Sequence, residues 1–188
     1  MTMLTEDYIM RMINQVLAVF LQAVGLKKAG QFSEALQAFD QAVESLLGLR
    51  AGLAEQLEDH QLLALLTFQD KLDVDRLLVL ADIYREEGEV YALQGQPEQC
   101  QFAAQRGLRL YLEAALVTEA NPTLELVQKI EAQRSRLSVS DLLVETRLAL
   151  LDYFDRLLAS GEDFLAAAKL SRTDLQAALA SLDTADLH

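Results

Sequence analysis

The spacing of apolar residues near the start of the chain constrains the fold most. They recur every three or four residues in two runs: Ile9, Ile13, Val16, Leu17, Phe20 and Val24, then Leu36, Phe39, Val43, Leu46 and Leu47. This spacing places the members of each run along one side of a helix. The link between the runs is short, only 29–31 around Gly30. Two helices joined so tightly are expected to lie antiparallel and to pack on each other.

Turn residues are scarce along the whole chain. Its 188 residues include only eight Gly and two Pro, and 52% of the residues are hydrophobic. A sheet protein of this length needs more turn residues than that, whereas Ala, Leu, Gln and Glu favour helices. We therefore predict an all-α fold: one domain, 1–188, built as an array of about eight antiparallel helices.

Capping residues and glycines set the expected helix bounds. The predicted helices are 5–28, 32–48, 53–68, 74–94, 97–119, 122–136, 140–160 and 162–181. The residues expected to cap them are Thr5, Asp73, Asn121 with Pro122, and Ser138 with Asp141. The sequence leaves open whether the last helix breaks at Ser171, which begins another Ser-x-x-Asp pattern.

Three glycine junctions indicate an internal repeat. Gly30, Gly95 and Gly161 are 65 and 66 residues apart, and near-equal spacing is typical of repeat proteins. Residues at equal offsets from each glycine correspond, and where they are small they let two helix backbones approach closely. The predicted repeat units are approximately 5–69, 73–137 and 140–182, with extra helices at 53–68 and 122–136 inserted between the hairpins.

The residues around these glycines follow a recognisable order. A small residue in the first helix and a turn glycine precede small, aromatic and small positions in the second. The first unit has Ala23, Gly30, Phe32, Ala35, Phe39 and Ala42, the second has Gly88, Tyr91, Gly95, Ala104 and Gly107, and the third keeps only Gly161 and Ala166. This order resembles the tetratricopeptide repeat, although that family repeats about every 34 residues. The resemblance implies a groove that receives a peptide or another helix.

Three segments, 4–13, 25–32 and 72–82, carry a second resemblance that extends over the full length. They are similar to a family of bacterial helical proteins, mostly from Gram-positive species, with no assigned activity. This resemblance implies a helical fold and a bacterial source, and it assigns no site.

Charge and cysteine content exclude several classes of partner. The net charge of −13 repels the phosphates of nucleic acids, so we predict no nucleic-acid binding. Cys100 is the only cysteine, which excludes an internal disulfide and a cysteine-based zinc site and indicates a cytoplasmic location. Acidic Glu6 and Asp7 precede the first apolar stretch. We therefore expect neither a signal peptide nor a membrane span.

No pattern in the sequence indicates catalysis or metal binding. His60 and His188 have no Cys or second His within helical reach, so we predict no metal site. Acidic pairs occur one helical turn apart, but in so acidic a chain they arise on solvated faces. These pairs are Glu55 with Glu58 and Glu86 with Glu89. We predict no catalytic residue and no cofactor.

Since the sequence indicates neither catalysis nor metal binding, we expect the protein to act through a binding surface. We expect a cytoplasmic, non-catalytic scaffold that binds a protein or peptide, with a basic or amphipathic helix as the best-suited partner. The candidate groove consists of Leu17, Phe20, Val24, Asp82, Arg85, Glu89, Leu148, Leu151 and Asp155. Its apolar members have two further interpretations of comparable weight, the protein core and the seam of a homodimer.

The alternative function is a small-molecule binder or an enzyme with a carboxylate in a pocket between helices. Glu86 and Glu89, close to Tyr84 and Tyr91, are its expected residues. An enclosed pocket that holds a carboxylate with a strongly raised pKa would favour this alternative. An open apolar groove without enclosed polar groups would favour the scaffold.

Overall fold

A computed structural model describes the backbone of residues 2–50 and 52–184, with side chains for 7–50 and 52–182. Within these ranges it contains nine α-helices and one two-stranded hairpin, so the all-α prediction is confirmed. The α-helices are α1 Thr2–Lys28, α2 Phe32–Leu47, α3 Asp59–Leu65, α4 Val74–Leu93, α5 Pro97–Leu116, α6 Leu124–Arg134, α7 Val144–Ala159, α8 Glu162–Ala167 and α9 Arg172–Thr184. The short elements are the 3-10 helices Ala54–Gln56 and Val139–Asp141 and the strands β1 Thr67–Phe68 and β2 Lys71–Leu72.

The chain divides into two compact units, 1–107 and 108–188, with the boundary inside α5. The single domain and the three repeat units that the sequence predicts stay predictions.

In the first unit, α1 and α2 form the hairpin that the apolar spacing predicts. Gly30 in the link and Gly48 after α2 have φ of 75° and 66°, a left-handed conformation that glycine adopts without strain. Phe39 is fully buried, and its ring centroid lies 6.0 Å from that of half-buried Phe20. The small residues of the tetratricopeptide-like pattern are buried too, namely Ala23, Ala35 and Ala42.

Gly88 of α4 lies against the backbone of α5, as its small size suggested. A Cβ at this position would lie 3.6 Å from both the Cys100 carbonyl oxygen and the Ala103 Cβ. These distances are ordinary van der Waals contacts, so an alanine fits at this position, whereas a longer side chain would meet the backbone of α5.

The helix predicted over 53–68 is wrong. Leu57 has extended backbone, and α3 begins only at Asp59, behind a capping box formed by Glu58 and Gln61. After α3 comes the β1–β2 hairpin, whose turn places Gln69 and Asp70 at φ of 49° and 59°. Two left-handed residues suit the right-handed twist of a two-residue hairpin.

Helix starts are the least accurate sequence predictions. The first helix begins at Thr2 instead of being capped at Thr5, because the residues between them do not interrupt a helix. Asp73 does cap α4, since its Oδ1 accepts a hydrogen bond from the Arg76 N–H at 3.1 Å. In the second unit, α6 is capped by Thr123 instead of Asn121 with Pro122.

The helix predicted over 140–160 starts late. Ser138 precedes only the short 3-10 helix, with no side-chain cap, and its hydroxyl lies 2.8 Å from that of Ser140 instead. Leu142 has extended backbone and is buried, so α7 begins at Val144.

The last helix breaks at Ser171. Lys169 has a φ of 59° after α8, and Ser171 and Asp174 then exchange hydrogen bonds at the start of α9. This capping exchange resolves the alternative that the sequence left open. The largest buried side chains of the second unit are Leu108, Leu110, Tyr111, Tyr153 and Phe154.

One described helix is long and apolar enough to cross a membrane, judged by length and composition alone. It is α1, over Asp7–Lys28, with a mean hydropathy of 1.5 and 17% of the residues in its most apolar window buried. The absence of a membrane span therefore stays a prediction.

Truncating the two aromatic rings of the hairpin should have unequal effects. Phe39→Ala removes a fully buried ring and should lower the free energy of unfolding by about 3 to 5 kcal/mol. Phe20→Ala removes a half-buried ring and should cost about 1 to 2 kcal/mol. Urea denaturation followed by circular dichroism measures both; a larger loss for Phe20→Ala would contradict the assigned core.

Candidate functional site

A half-open pocket of about 400 Å³ lies in the first unit. Its walls come from α2, α4, the first turns of α5 and the segment that follows α2. Five carboxylates line it: Asp40, Glu44, Glu55, Glu87 and Glu98. Three aromatic residues line it as well: Tyr84, Tyr91 and Phe102. No Lys, Arg or His is among the described residues of the lining, so the pocket wall is strongly negative.

Glu87 is the most unusual of these carboxylates. The residue is only 6% exposed, yet its side chain makes no hydrogen bond or ion pair with any residue that the structure describes. Buried carboxylates in proteins are normally paired, because losing the solvation of the charge costs several kcal/mol. An unpaired carboxylate that faces a pocket is therefore suited to pair with a ligand.

Burial, together with the nearby charges of Asp40 and Glu55, raises the pKa of Glu87 to about 8. The positive charge of Arg106 acts in the opposite direction but is the weaker effect. At neutral pH the Glu87 carboxyl therefore keeps its proton until a positive charge enters the pocket.

Other pocket groups have shifted pKa values as well. Asp40 is exposed on the surface, but loss of part of its hydration, followed by the charges of Glu55 and Glu44, raises its pKa to about 6. Burial is also the largest cause that raises the pKa of Tyr84 and Tyr91 to about 12. Both phenols thus stay neutral over the physiological range.

Arg106 on α5 holds one wall of the pocket in place. It is 5% exposed, and its Nε donates to the Asp59 Oδ1 at 3.0 Å. Its two terminal nitrogens donate to the carbonyl oxygens of Ala54 and Leu57. These bonds fix the segment that carries Glu55. The segment that they hold consists of a 3-10 turn over Ala54–Gln56 and extended backbone at Leu57.

The same guanidinium packs on two aromatic rings of the lining. Its central carbon lies 4.5 Å from the Phe102 ring centroid and 5.4 Å from that of Tyr84. Cation–π contacts of this kind hold an arginine and the rings in a fixed orientation. Arg106 therefore positions the aromatic side of the pocket as well as the Glu55 segment.

Glu86 and Glu89, the pair expected in the pocket, lie elsewhere. Lys27 at the end of α1 forms ion pairs with both, at 2.6 Å to Glu89 Oε2, and Arg85 Nη2 lies 2.7 Å from Glu86 Oε1. Burial alone would lower the pKa of Lys27, but the two carboxylates outweigh it and raise that pKa. This cluster joins α1 to α4, so its role is structural.

The residues of the predicted groove belong to both units. Leu17, Phe20, Val24, Asp82, Arg85 and Glu89 lie in the first unit, and all six are half-buried. In the second unit Leu151 is half-buried, whereas Leu148 and Asp155 are exposed. A groove that includes all nine stays a prediction.

Acidic side chains are abundant in the described part of the chain, but they do not form a metal-binding cluster. No cluster of three or more His, Cys, Asp or Glu there has a geometry that could hold a metal ion. His60 is exposed, with its Nδ1 3.2 Å from Glu58 Oε2, while His188 lies outside the described residues. The five pocket carboxylates are therefore not arranged around one point as metal ligands would be.

Comparison with protein-family models, with curated proteins and with solved structures gave no match.

The two tyrosines expected near the pocket do line it, whereas the expected carboxylates, Glu86 and Glu89, do not. Tyr84, Glu87 and Tyr91 are separated by three and four residues, which is one face of a helix. That spacing was a usable signal for Glu87. Arg106 gave no such signal, because its partners lie about 50 residues earlier in the chain.

Glu87→Gln should make the stability of the protein less dependent on pH. The unfolded chain releases this proton near pH 4.5, but the folded protein keeps it until about pH 8, so wild-type stability falls between these values. The variant has no carboxyl group at this position, so its stability does not fall with pH for this reason. Its stability relative to wild type should therefore rise by about 2 to 4 kcal/mol from about pH 5 to about pH 9.

Urea denaturation at several pH values measures this difference. Glu34→Gln, an exposed change on α2 outside the pocket lining, is the matched control and should alter stability by no more than about 0.5 kcal/mol. A stability difference between Glu87→Gln and wild type that stays constant with pH would show that Glu87 is not held neutral.

Proposed function

We propose that this chain is a non-catalytic binding protein whose first unit takes up a small organic cation in the acidic, aromatic pocket. The observation that carries the proposal is the buried Glu87 carboxylate without a protein partner. A ligand ammonium would neutralise its charge. It would also relieve the repulsion among Glu87, Asp40 and Glu55.

Aromatic walls support an organic cation over a bare metal ion. Metal sites place oxygen ligands around one centre, whereas the described residues offer no such cluster. The faces of Tyr84, Tyr91 and Phe102 attract ammonium groups and also contact hydrocarbon. A volume of about 400 Å³ falls within the range of small-molecule pockets.

Binding without reaction suits the groups at hand. Among the described lining residues there is no Ser, Thr, Cys, Lys or His to act as a nucleophile or as a base paired with one. Glu87 lacks the hydrogen-bonded neighbour that orients a catalytic carboxylate. We therefore assign to Glu87 the role of a counter-ion for the ligand.

Titration with amines tests the proposal. Butylamine, putrescine and choline should shift the amide resonances of pocket residues at about pH 8, whereas neutral 1,4-butanediol should not. Glu87→Gln should weaken amine binding at least about tenfold, because it removes the buried negative charge. Glu34→Gln should bind as wild type does, since its surface charge lies outside the pocket lining.

Proton release gives a second readout of the same binding. At about pH 7 a cation must displace the Glu87 proton, so the calorimetric heat should vary with the ionisation enthalpy of the buffer. In Glu87→Gln this buffer dependence should largely disappear. If none of the amines binds the wild type, the cation-binding proposal is wrong.

A second candidate function is the protein-interaction scaffold expected from the sequence, with a second copy of the chain as partner. Exposed apolar side chains on one face of α1 favour it, since Met10 and Leu21 lie on that face and are 53% and 67% exposed. Light scattering should then give a dimer mass. Leu21→Lys should shift it to the monomer, while the neighbouring exposed change Gln22→Lys should not. A monomeric wild type would exclude this candidate.

A further inference from the structure

The pocket carboxylates come from separate segments of the first unit. Asp40 and Glu44 lie on α2, Glu55 in the 3-10 helix Ala54–Gln56, Glu87 on α4 and Glu98 in the first turn of α5. They therefore surround the pocket instead of meeting at one point. A single ammonium group contacts only oxygens within about 3 Å of its nitrogen, so it can satisfy only part of this wall.

Charge balance also calls for more than one positive charge. Arg106 is the basic group whose charge acts on Glu87, and it is already paired with Asp59 at 3.0 Å. Asp40 and Glu55 face Glu87 from α2 and from the 3-10 helix, and both are acidic. One ligand charge at Glu87 would leave the exposed Asp40 and Glu55 carboxylates solvated by water alone, whereas a second ligand charge would form an ion pair with one of them.

Apolar groups line the pocket together with the carboxylates. The side chains of Val43, Ala54 and Ala103 belong to the lining, together with the three aromatic rings. A hydrocarbon chain on this surface is removed from water at a gain of roughly 25 cal/mol per Å². The pocket thus offers hydrocarbon surface as well as carboxylates.

We infer that the ligand is a linear alkyl diamine or polyamine, whose ammonium groups pair with Glu87 and with a second pocket carboxylate while its methylene chain lies against the rings. The inference rests on the proposed cation-binding function. The same ammonium chemistry occurs in the lysine side chains of proteins. The pocket volume of about 400 Å³ accommodates a whole small molecule, which favours a free amine.

Calorimetric titration of the full chain with butylamine, putrescine and spermidine compares one, two and three positive charges. At about pH 8 and physiological salt, putrescine should bind at least about tenfold tighter than butylamine, and spermidine at least as tightly as putrescine. Equal affinities for butylamine and putrescine would overturn the diamine inference and leave cation binding standing. No binding by any amine would overturn both.

Glu98→Gln tests whether a second carboxylate takes part. Glu98 is exposed, so the change should not disturb folding. The change should weaken the binding of putrescine at least about threefold more than it weakens the binding of butylamine. Glu34→Gln, with the same loss of charge outside the pocket lining, should not change the ratio of the two affinities. If both variants change that ratio equally, the preference comes from the overall charge of −13 and the inference fails.

A lysine peptide distinguishes the two sources of ammonium. The dipeptide N-acetyl-Lys-Lys-amide carries two ammonium groups, as putrescine does. We expect the dipeptide to bind at least about tenfold more weakly than putrescine, because its peptide backbone is too large for the enclosed part of the pocket. Tighter binding of the dipeptide than of putrescine would overturn the free-amine assignment.

Discussion

The Arg106 guanidinium is the contact on which the pocket depends. It binds Asp59 and two main-chain carbonyls of the segment between α2 and α3, and it packs on the rings of Phe102 and Tyr84. A buried arginine is stable only when several acceptors satisfy its donors at once. Here those acceptors are the atoms of the segment that forms one pocket wall. The hydrogen bonds that satisfy the Arg106 donors therefore also hold this wall of the pocket in place.

Adjacent residues on α4 have opposite electrostatic environments. Glu86 is buried and paired with Lys27 and Arg85, while Glu87 is buried and unpaired in the pocket. Successive residues point about 100° apart around a helix, so two neighbours can face different helices. The first carboxylate contributes to the packing of α1 on α4. The second keeps its proton at neutral pH and remains available to a ligand.

Much of the fold was predictable from local patterns, whereas the failure over 53–68 involves contacts with residues distant in the sequence. Apolar spacing and glycines placed α2 and α4 to within one residue, because each of these helices buries a continuous face. The segment 53–68 has leucines at helical spacing too, yet only α3 is α-helical there. The Arg106 side chain donates hydrogen bonds to the carbonyl oxygens of Ala54 and Leu57. A two-residue turn at Gln69 and Asp70 follows α3. Local propensity was overridden by partners distant in the sequence.

The sequence by itself determined the all-α class, the α1–α2 hairpin and the close approach of α4 to α5 at Gly88, because periodicity and residue size act between near neighbours. It also placed Tyr84 and Tyr91 on one face of α4. Only the tertiary structure decided which glutamate joined them. Whether a carboxylate is paired or unpaired depends on the charges that other helices bring to it. Lys27 from α1 reaches Glu86 and Glu89, and no described residue pairs with Glu87.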